Sequence, residues 1–405
     1  MLFRILTDTR WAPAVLLFSL FGVYIALPIF VDALFLPSSY FVQLAELTAV
    51  ACGAIIVGSL LPIFDHRFGP TVLRVTFRSS TFHLMVWTTF SIFLVITFVT
   101  ADAIPMISAL MGANADELAQ QRGDFLKTRS GMEAVLIYFS TLFVSALLPY
   151  SLALQFIEKS RFRFLLLLLF LAYSLSFLQK ALFINVIFPL LYLAARNSKV
   201  STTRVITIAV SCLLLLYGVT QLAYGDADAP AAGAKFSSYN EYFGATYLPT
   251  NSLEYLVWRS TAVPMFSASD TLLVHSENFG GQPLWGATSS FFAAALGLER
   301  VPMERLVSEY QWGWSDIANT NAVYITEAYV NFGWIGALLF SLFVGQALRW
   351  FRKSEDEAFK ALWLIFCFSI FNSGLIGTLL SNGYVLIFAM ALFVKLKSTP
   401  RNEQY

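Results

Sequence analysis

Charge is what this chain has least of: Asp, Glu, Lys and Arg make up only 13% of its 405 residues. So few ionic groups cannot clothe a water-facing surface, and with 58% hydrophobic residues the chain calls for lipid as its solvent. A net charge of +1 leaves no global field, so nucleic acid is not expected as a partner. The three cysteines, Cys52, Cys212 and Cys367, all fall in apolar runs, which excludes a disulfide framework and suggests small buried hydrophobes. His66, His83 and His275 are scattered, which excludes a histidine-built zinc site or a nucleophilic triad. Neither a P-loop nor a dinucleotide fingerprint occurs. The sequence Asp226-Ala-Asp228 has the form of a metal-binding D-x-D, but it lies in a Gly/Ala/Pro-rich stretch better suited to a solvated turn.

What the chain does have is apolar runs of roughly twenty residues, each able to cross a hydrocarbon layer of about 30 Å as a helix. The alternation expected of a barrel is missing, so the spans are helical. Hydropathy sets them near 11–36, 40–62, 82–101, 132–156, 164–179, 181–195, 204–223, 324–348, 361–378 and 382–395. The expected fold is therefore all-α, a polytopic bundle of about ten spans within residues 1–405. The first run, following Arg4 and Arg10, is far longer than a signal-peptide core and is expected to be retained.

Threading the spans gathers most of the 26 basic residues on one side, from Arg4 and Arg10 through Arg67, Arg74 and Arg78 to Arg349, Arg352, Lys395 and Lys397. By the positive-inside rule that side, and both termini with it, is cytoplasmic. Two outer segments are long, 102–131 and 224–323, and loops of such length usually carry function. In the first, Asn114 and Glu117 have capping-box spacing and Gly123 suits a helix end, which would make Arg122 the last helical residue. In the second, apolar stretches near 253–266 and 289–298, with Trp258, Trp285, Trp312 and Trp314, predict helices lying at the membrane interface over a cavity.

The carboxylates within or beside the spans, Asp32, Glu46, Glu133 and Glu327, all stand toward the outer side. Ionisable groups at such positions are costly and generally line a wet, protein-enclosed site, although a carboxylate near a span's end can also reach the headgroups. Lys180 divides a 164–195 segment too short for two full spans, so its ammonium is expected below the outer surface. It needs an anion there, either one of those carboxylates or a phosphate.

The run Glu327-Ala-Tyr-Val-Asn331-Phe-Gly333-Trp-Ile-Gly336 resembles one found in Wzy-type O-antigen polymerases. The Phe177–Arg196 hairpin, the Leu256–Arg259 stretch and the two long outer loops are similar to that group as well. The Arg-x10-Gly element of some members has no match here, since Glu133 stands at the glycine position after Arg122 and Asp270 at that after Arg259. The resemblance implies a GT-C-type membrane glycosyltransferase in the bacterial inner membrane with its site facing the periplasm. It also implies polyprenyl pyrophosphate-linked glycans and membrane lipids as partners, with room for a chain-length regulator, and no cofactor. The reaction would pass the growing glycan from polyprenyl pyrophosphate to a sugar hydroxyl of the next lipid-linked unit.

Fixed cations could hold the departing pyrophosphate without a metal, and the candidates are Arg122, Lys180 and Arg259. Arg122 could instead complement a helix C-terminus, and Arg259 could snorkel from an interfacial helix. For the base that takes the hydroxyl proton, the order is Glu327, then Asp316, then His275. An O-antigen ligase shares the layout and donor, but its His-Asn pair is represented here only by Asn319 and Asn321. A polysaccharide or lipid transporter would instead show internal repeats and charges at all depths.

Overall fold

The computed structural model describes residues 8–35, 37–68, 73–113, 135–176, 178, 180–197, 200–224, 252–312, 320 and 322–397, with isolated positions from 117 to 125. Arg122, Glu133, Asp226, Asp228, Asp316 and the Asn114–Gly123 caps lie outside the described residues, as does the side chain of Lys180.

Five helices are long and apolar enough to cross a membrane among the described residues: α1 (Thr9–Leu34), α2 (Ser39–Leu60), α3 (Ser79–Val99), α5 (Val135–Ile157) and α12 (Tyr324–Lys353). A short α4 (Pro105–Leu110) separates α3 from α5. Between α5 and α12 come α6 (Arg163–Ser176), α7 (Lys180–Arg196) and α8 (Thr202–Tyr224), then α9 (Ser252–Phe279), α10 (Ser290–Leu296) and α11 (Met303–Trp312). The chain finishes with α13 (Glu357–Lys360), α14 (Trp363–Asn372), α15 (Leu375–Leu380) and α16 (Tyr384–Phe393). Two short strands, β1 (Val75–Arg78) and β2 (Val394–Lys397), pair in parallel and are the exception to an otherwise helical architecture.

Hydropathy located the early spans to within a few residues, because a lipid-crossing helix is long, apolar and uninterrupted. Three expectations change. The 253–266 stretch is part of a 28-residue helix, α9, whose polar second half continues through His275 and Glu277. Cys52 and Cys212 are only partly buried, since each stands on a helix face that the bundle does not fully cover, whereas Cys367 is buried. The segments 361–378 and 382–395 form a hairpin rather than two full spans: α16 rises only about 15 Å at 1.5 Å per residue. Its turn at Gly383 abuts Leu142, inside α5 and not beyond it.

Packing centres on the crossing of α2 with α12. Gly58 faces the Leu342 backbone carbonyl and Gly345 faces that of Ile55, so the two helices meet backbone to backbone where any side chain would hold them apart. Beyond this contact lies an aromatic core in which Phe351 stacks on Phe359 at 4.5 Å and Phe388 meets Phe366, Trp350 and Tyr384.

The segments assigned to one side by their basic residues do come together at one end. Arg349 donates to both carboxylate oxygens of Asp65 and to the carbonyls of Ser59 and Leu60. Arg196 pairs with Glu357 at 2.7 Å, and Tyr150 donates to Asp356 at 2.6 Å. His83 Nδ1 lies 2.7 Å from Ser151 Oγ, which also accepts from Trp87 Nε1 at 2.9 Å; His83 Nε2 reaches Glu158 at 3.4 Å, a charge contact more than a hydrogen bond. Ser151 is fully buried and its oxygen doubly engaged, so this chain fastens α3 to α5 and is no nucleophilic triad.

Candidate functional site

The Glu-x-x-x-Asn-Phe-Gly-x-x-Gly run sits where α12 reverses. Gly333 has φ 62° and ψ −156°, a backbone state open essentially to glycine alone. The arm 324–332 folds back along the arm 334–353, as shown by Tyr324 OH lying 3.0 Å from Ser341 Oγ. In a straight helix those residues would stand about 25 Å apart. The crossing is thus made by 334–353, about 30 Å long, and the shorter arm climbs inside the bundle beside it. Tyr324, Ile325, Thr326 and Ala328 on that arm are completely buried.

A reversed helix leaves carbonyls without their usual partners. Those of Val330 and Asn331 accept instead from the backbone N–H groups of Leu284 and Trp285, at 3.0 and 2.8 Å. The Asn331 side chain completes the clasp: Nδ2 donates to Thr288 Oγ1 (2.7 Å) and to the Glu327 carbonyl (2.8 Å), while Oδ1 accepts from Gly286 N (3.0 Å). The loop between α9 and α10 is thereby locked onto the reversal.

A second interruption meets the first. Between α14 and α15 the helix breaks at Ser373 and Gly374, again freeing backbone groups. Tyr24, in the π-turn Gly22–Ala26 of α1, donates to the Phe371 carbonyl at 2.6 Å. The Glu327 carboxylate accepts from Ile376 N at 3.2 Å and rests against Gly374, where a methyl group would overlap it. Glu327 is partly exposed although its neighbours on the arm are buried. Placed between two interrupted helices, it is an acceptor-only group that takes up backbone N–H groups freed at the break, those of Ile376 and Leu375. Discontinuous helices meeting inside a bundle are tolerated where they line a cavity, and such junctions hold polar ligands.

Polar side chains continue from this point toward α2, α9 and α11. Gln43 on α2 donates to Tyr329 OH at 2.9 Å, and the Tyr329 ring meets His275 edge-on at 6.2 Å. His275 is 1% exposed and its Nε2 lies 2.8 Å from the Gln282 carbonyl. A carbonyl only accepts, so Nε2 carries the proton; burial pushes the imidazole pKa below its ordinary value, with that hydrogen bond opposing. His275 is a brace between α9 and its following loop. Asp270, 2% exposed on α9, accepts from Gln311 Nε2 of α11 at 2.5 Å. Sequence reasoning missed this pair, although a carboxylate just before the apolar Leu272, Leu273 and Val274 was the signal for it.

Two of the described candidates, His275 and Arg259, stand apart on one helix. Glu327 occupies the junction, whereas Arg259 is exposed on α9 and sixteen residues from His275, about 24 Å along the helix. Asp32 accepts from Ser38 N at 2.7 Å and serves the turn after α1, while Glu46 is exposed on α2. No group of His, Cys, Asp and Glu among the described residues could hold a metal ion. No family model matches this chain, and neither does any curated protein or solved structure.

Proposed function

We propose that this protein is a metal-independent membrane glycosyltransferase that polymerises lipid-linked oligosaccharide repeat units, working from the junction around Glu327. The observation that carries the reading is the carboxylate of Glu327 placed where two interrupted helices meet, on the residue run that resembles the O-antigen polymerases. In this reaction the Glu327 carboxylate takes the proton of the acceptor sugar hydroxyl as its oxygen attacks the anomeric carbon of the growing glycan. The bond from that carbon to the pyrophosphate oxygen breaks, and polyprenyl pyrophosphate leaves with the electron pair. Its charge is already spread over several oxygens, so a fixed cation holds it better than a proton would, and Arg259, Arg122 and Lys180 are the candidates for that role.

A transporter of lipid-linked glycan is the second reading, favoured by the same interrupted helices, which in many carriers surround the substrate. One set of gels separates the two. Glu327→Gln keeps an oxygen for Ile376 N–H and a similar shape, so the chain should fold and reach the membrane at its normal level. The proposed polymerase would then leave single repeat units on the cell surface in place of long polysaccharide. A transporter variant would leave none at the surface, and normal long chains from Glu327→Gln would remove Glu327 from the chemistry.

A further inference from the structure

The two strands at the basic end make an amphipathic ribbon. Their register pairs Val75 with Val394, Thr76 with Lys395, Phe77 with Leu396 and Arg78 with Lys397. Side chains alternate across a strand, so one face carries Val75, Phe77, Val394 and Leu396 and the other Thr76, Arg78, Lys395 and Lys397. The residues leading in keep the alternation in sequence, apolar Leu73, 94% exposed, then basic Arg74.

Three features of this ribbon ask for a ligand. Arg78 and Lys397 stand directly opposite each other, an arrangement that repels unless an anion lies between or beside them. Arg78, Lys395 and Lys397 are exposed, and no carboxylate among the described residues pairs with them; neither strand contains one. The Nε and Nη2 atoms of Arg74, one of the two edges with which a guanidinium grips an oxyanion, are buried without a hydrogen-bond partner. Meanwhile Leu73 and Val75, 94% and 71% exposed, are apolar side chains that the described residues leave uncovered.

Position decides what covers both faces. β1 runs directly into the candidate span α3, and β2 continues directly from the apolar helix α16, so the ribbon lies where the bundle leaves the hydrocarbon. There an apolar face meets acyl chains while a basic face meets phosphates. Adjacent strands are about 4.8 Å apart and alternate residues about 6.6 Å, which sets Arg78, Lys395 and Lys397 around a space of headgroup size.

We propose that this ribbon is a binding site for the phosphate headgroup of an anionic phospholipid in the leaflet at the basic end, with Arg74, Arg78, Lys395 and Lys397 as its ligands. It is independent of the Glu327 junction and of the reaction proposed there.

The test uses the full-length protein in neutral detergent, with short-chain phosphatidylglycerol and phosphatidylcholine as probes, and native mass spectrometry and thermal melting as readouts. The intact protein should retain phosphatidylglycerol in preference to phosphatidylcholine and gain thermal stability with it. The triple variant Arg78→Gln, Lys395→Gln, Lys397→Gln should weaken that retention by roughly a hundredfold, each cation near an anionic surface adding to the total. A charge-keeping variant, Arg78→Lys with Lys395→Arg, should hold the lipid nearly as well, which separates loss of charge from loss of fold. Arg161→Gln with Arg163→Gln, cations that rest on Phe162, Phe164 and Phe156, should change it less than about threefold. Equal retention of both lipids, unchanged retention by the triple variant, or equal loss in the Arg161 and Arg163 control would overturn the proposal. So would inorganic phosphate at millimolar concentration giving the whole stabilisation, which would make this a site for a free ion.

Discussion

Asn331 spends every polar atom of its side chain inside the protein, on Thr288, Gly286 and the Glu327 carbonyl, and it is completely buried. Its value lies less in the bonds made than in the donors and acceptors that would be stranded without it. Asn331→Ala should cost about 2–4 kcal/mol, with three partners each losing a bond, and a thermal melt in detergent measures it. Asn331→Asp is a sharper probe, because a carboxylate cannot donate to Thr288 and the Glu327 carbonyl. Glu327 differs in kind: its carboxylate answers backbone N–H groups of another helix, Ile376 and Leu375, and its residue is only partly covered. Its neighbour at the break is a glycine, Gly374, where a side chain would occupy the carboxylate's place.

Among the elements, α12 carries the largest departure from a plain span. As one apolar run it has the composition of a straight helix, and its reversal depends on one glycine and on hydrogen bonds from the loop between α9 and α10. Gly333→Ala should lower stability by about 1–3 kcal/mol and disturb the Glu327 junction, because an L side chain resists φ near +60°. Gly53→Ala supplies the comparison: Gly53 is helical with open space where a methyl would go, so the same change should be neutral or raise stability by up to about 1 kcal/mol. Equal melts for the two variants would argue against the reversal. The break between α14 and α15 obeys the same rule, its loose backbone groups being taken up by Tyr24 and Glu327 from helices distant in sequence.

Across the whole molecule, charge sorts into two ends. At the basic end the acids are paired, and Arg349 holds Asp65 below the usual carboxylate range, with partial burial opposing and Lys353 and Arg352 assisting. A carboxylate whose folded pKa is depressed adds stability that is complete above its unfolded value and is lost as pH falls through the folded one. Unfolding midpoints should therefore begin to fall as pH drops below about 4, the ordinary aspartate value. Arg349→Gln should be less stable at neutral pH and show a shallower acid slope, and parallel pH profiles for the two proteins would contradict this pairing. Away from that end lie the Glu327 junction, the buried pair of Asp270 and Gln311, and the ion pair of Arg300 with Glu304.

Composition and run length alone determined that this is a helical membrane protein, where its first spans lie, and which segments share an end. Those properties follow from transfer of side chains into lipid, a sum over local residues that needs no knowledge of partners. The same local sum could not tell a 30-residue apolar helix from one folded back at Gly333, nor two short spans from a hairpin ending against Leu142. Only tertiary structure decided these, because they depend on whether backbone groups freed at a break find partners elsewhere in the chain. Leu284, Trp285, Tyr24 and Glu327 provide them, and none of those pairings is written in the neighbourhood of the break it satisfies.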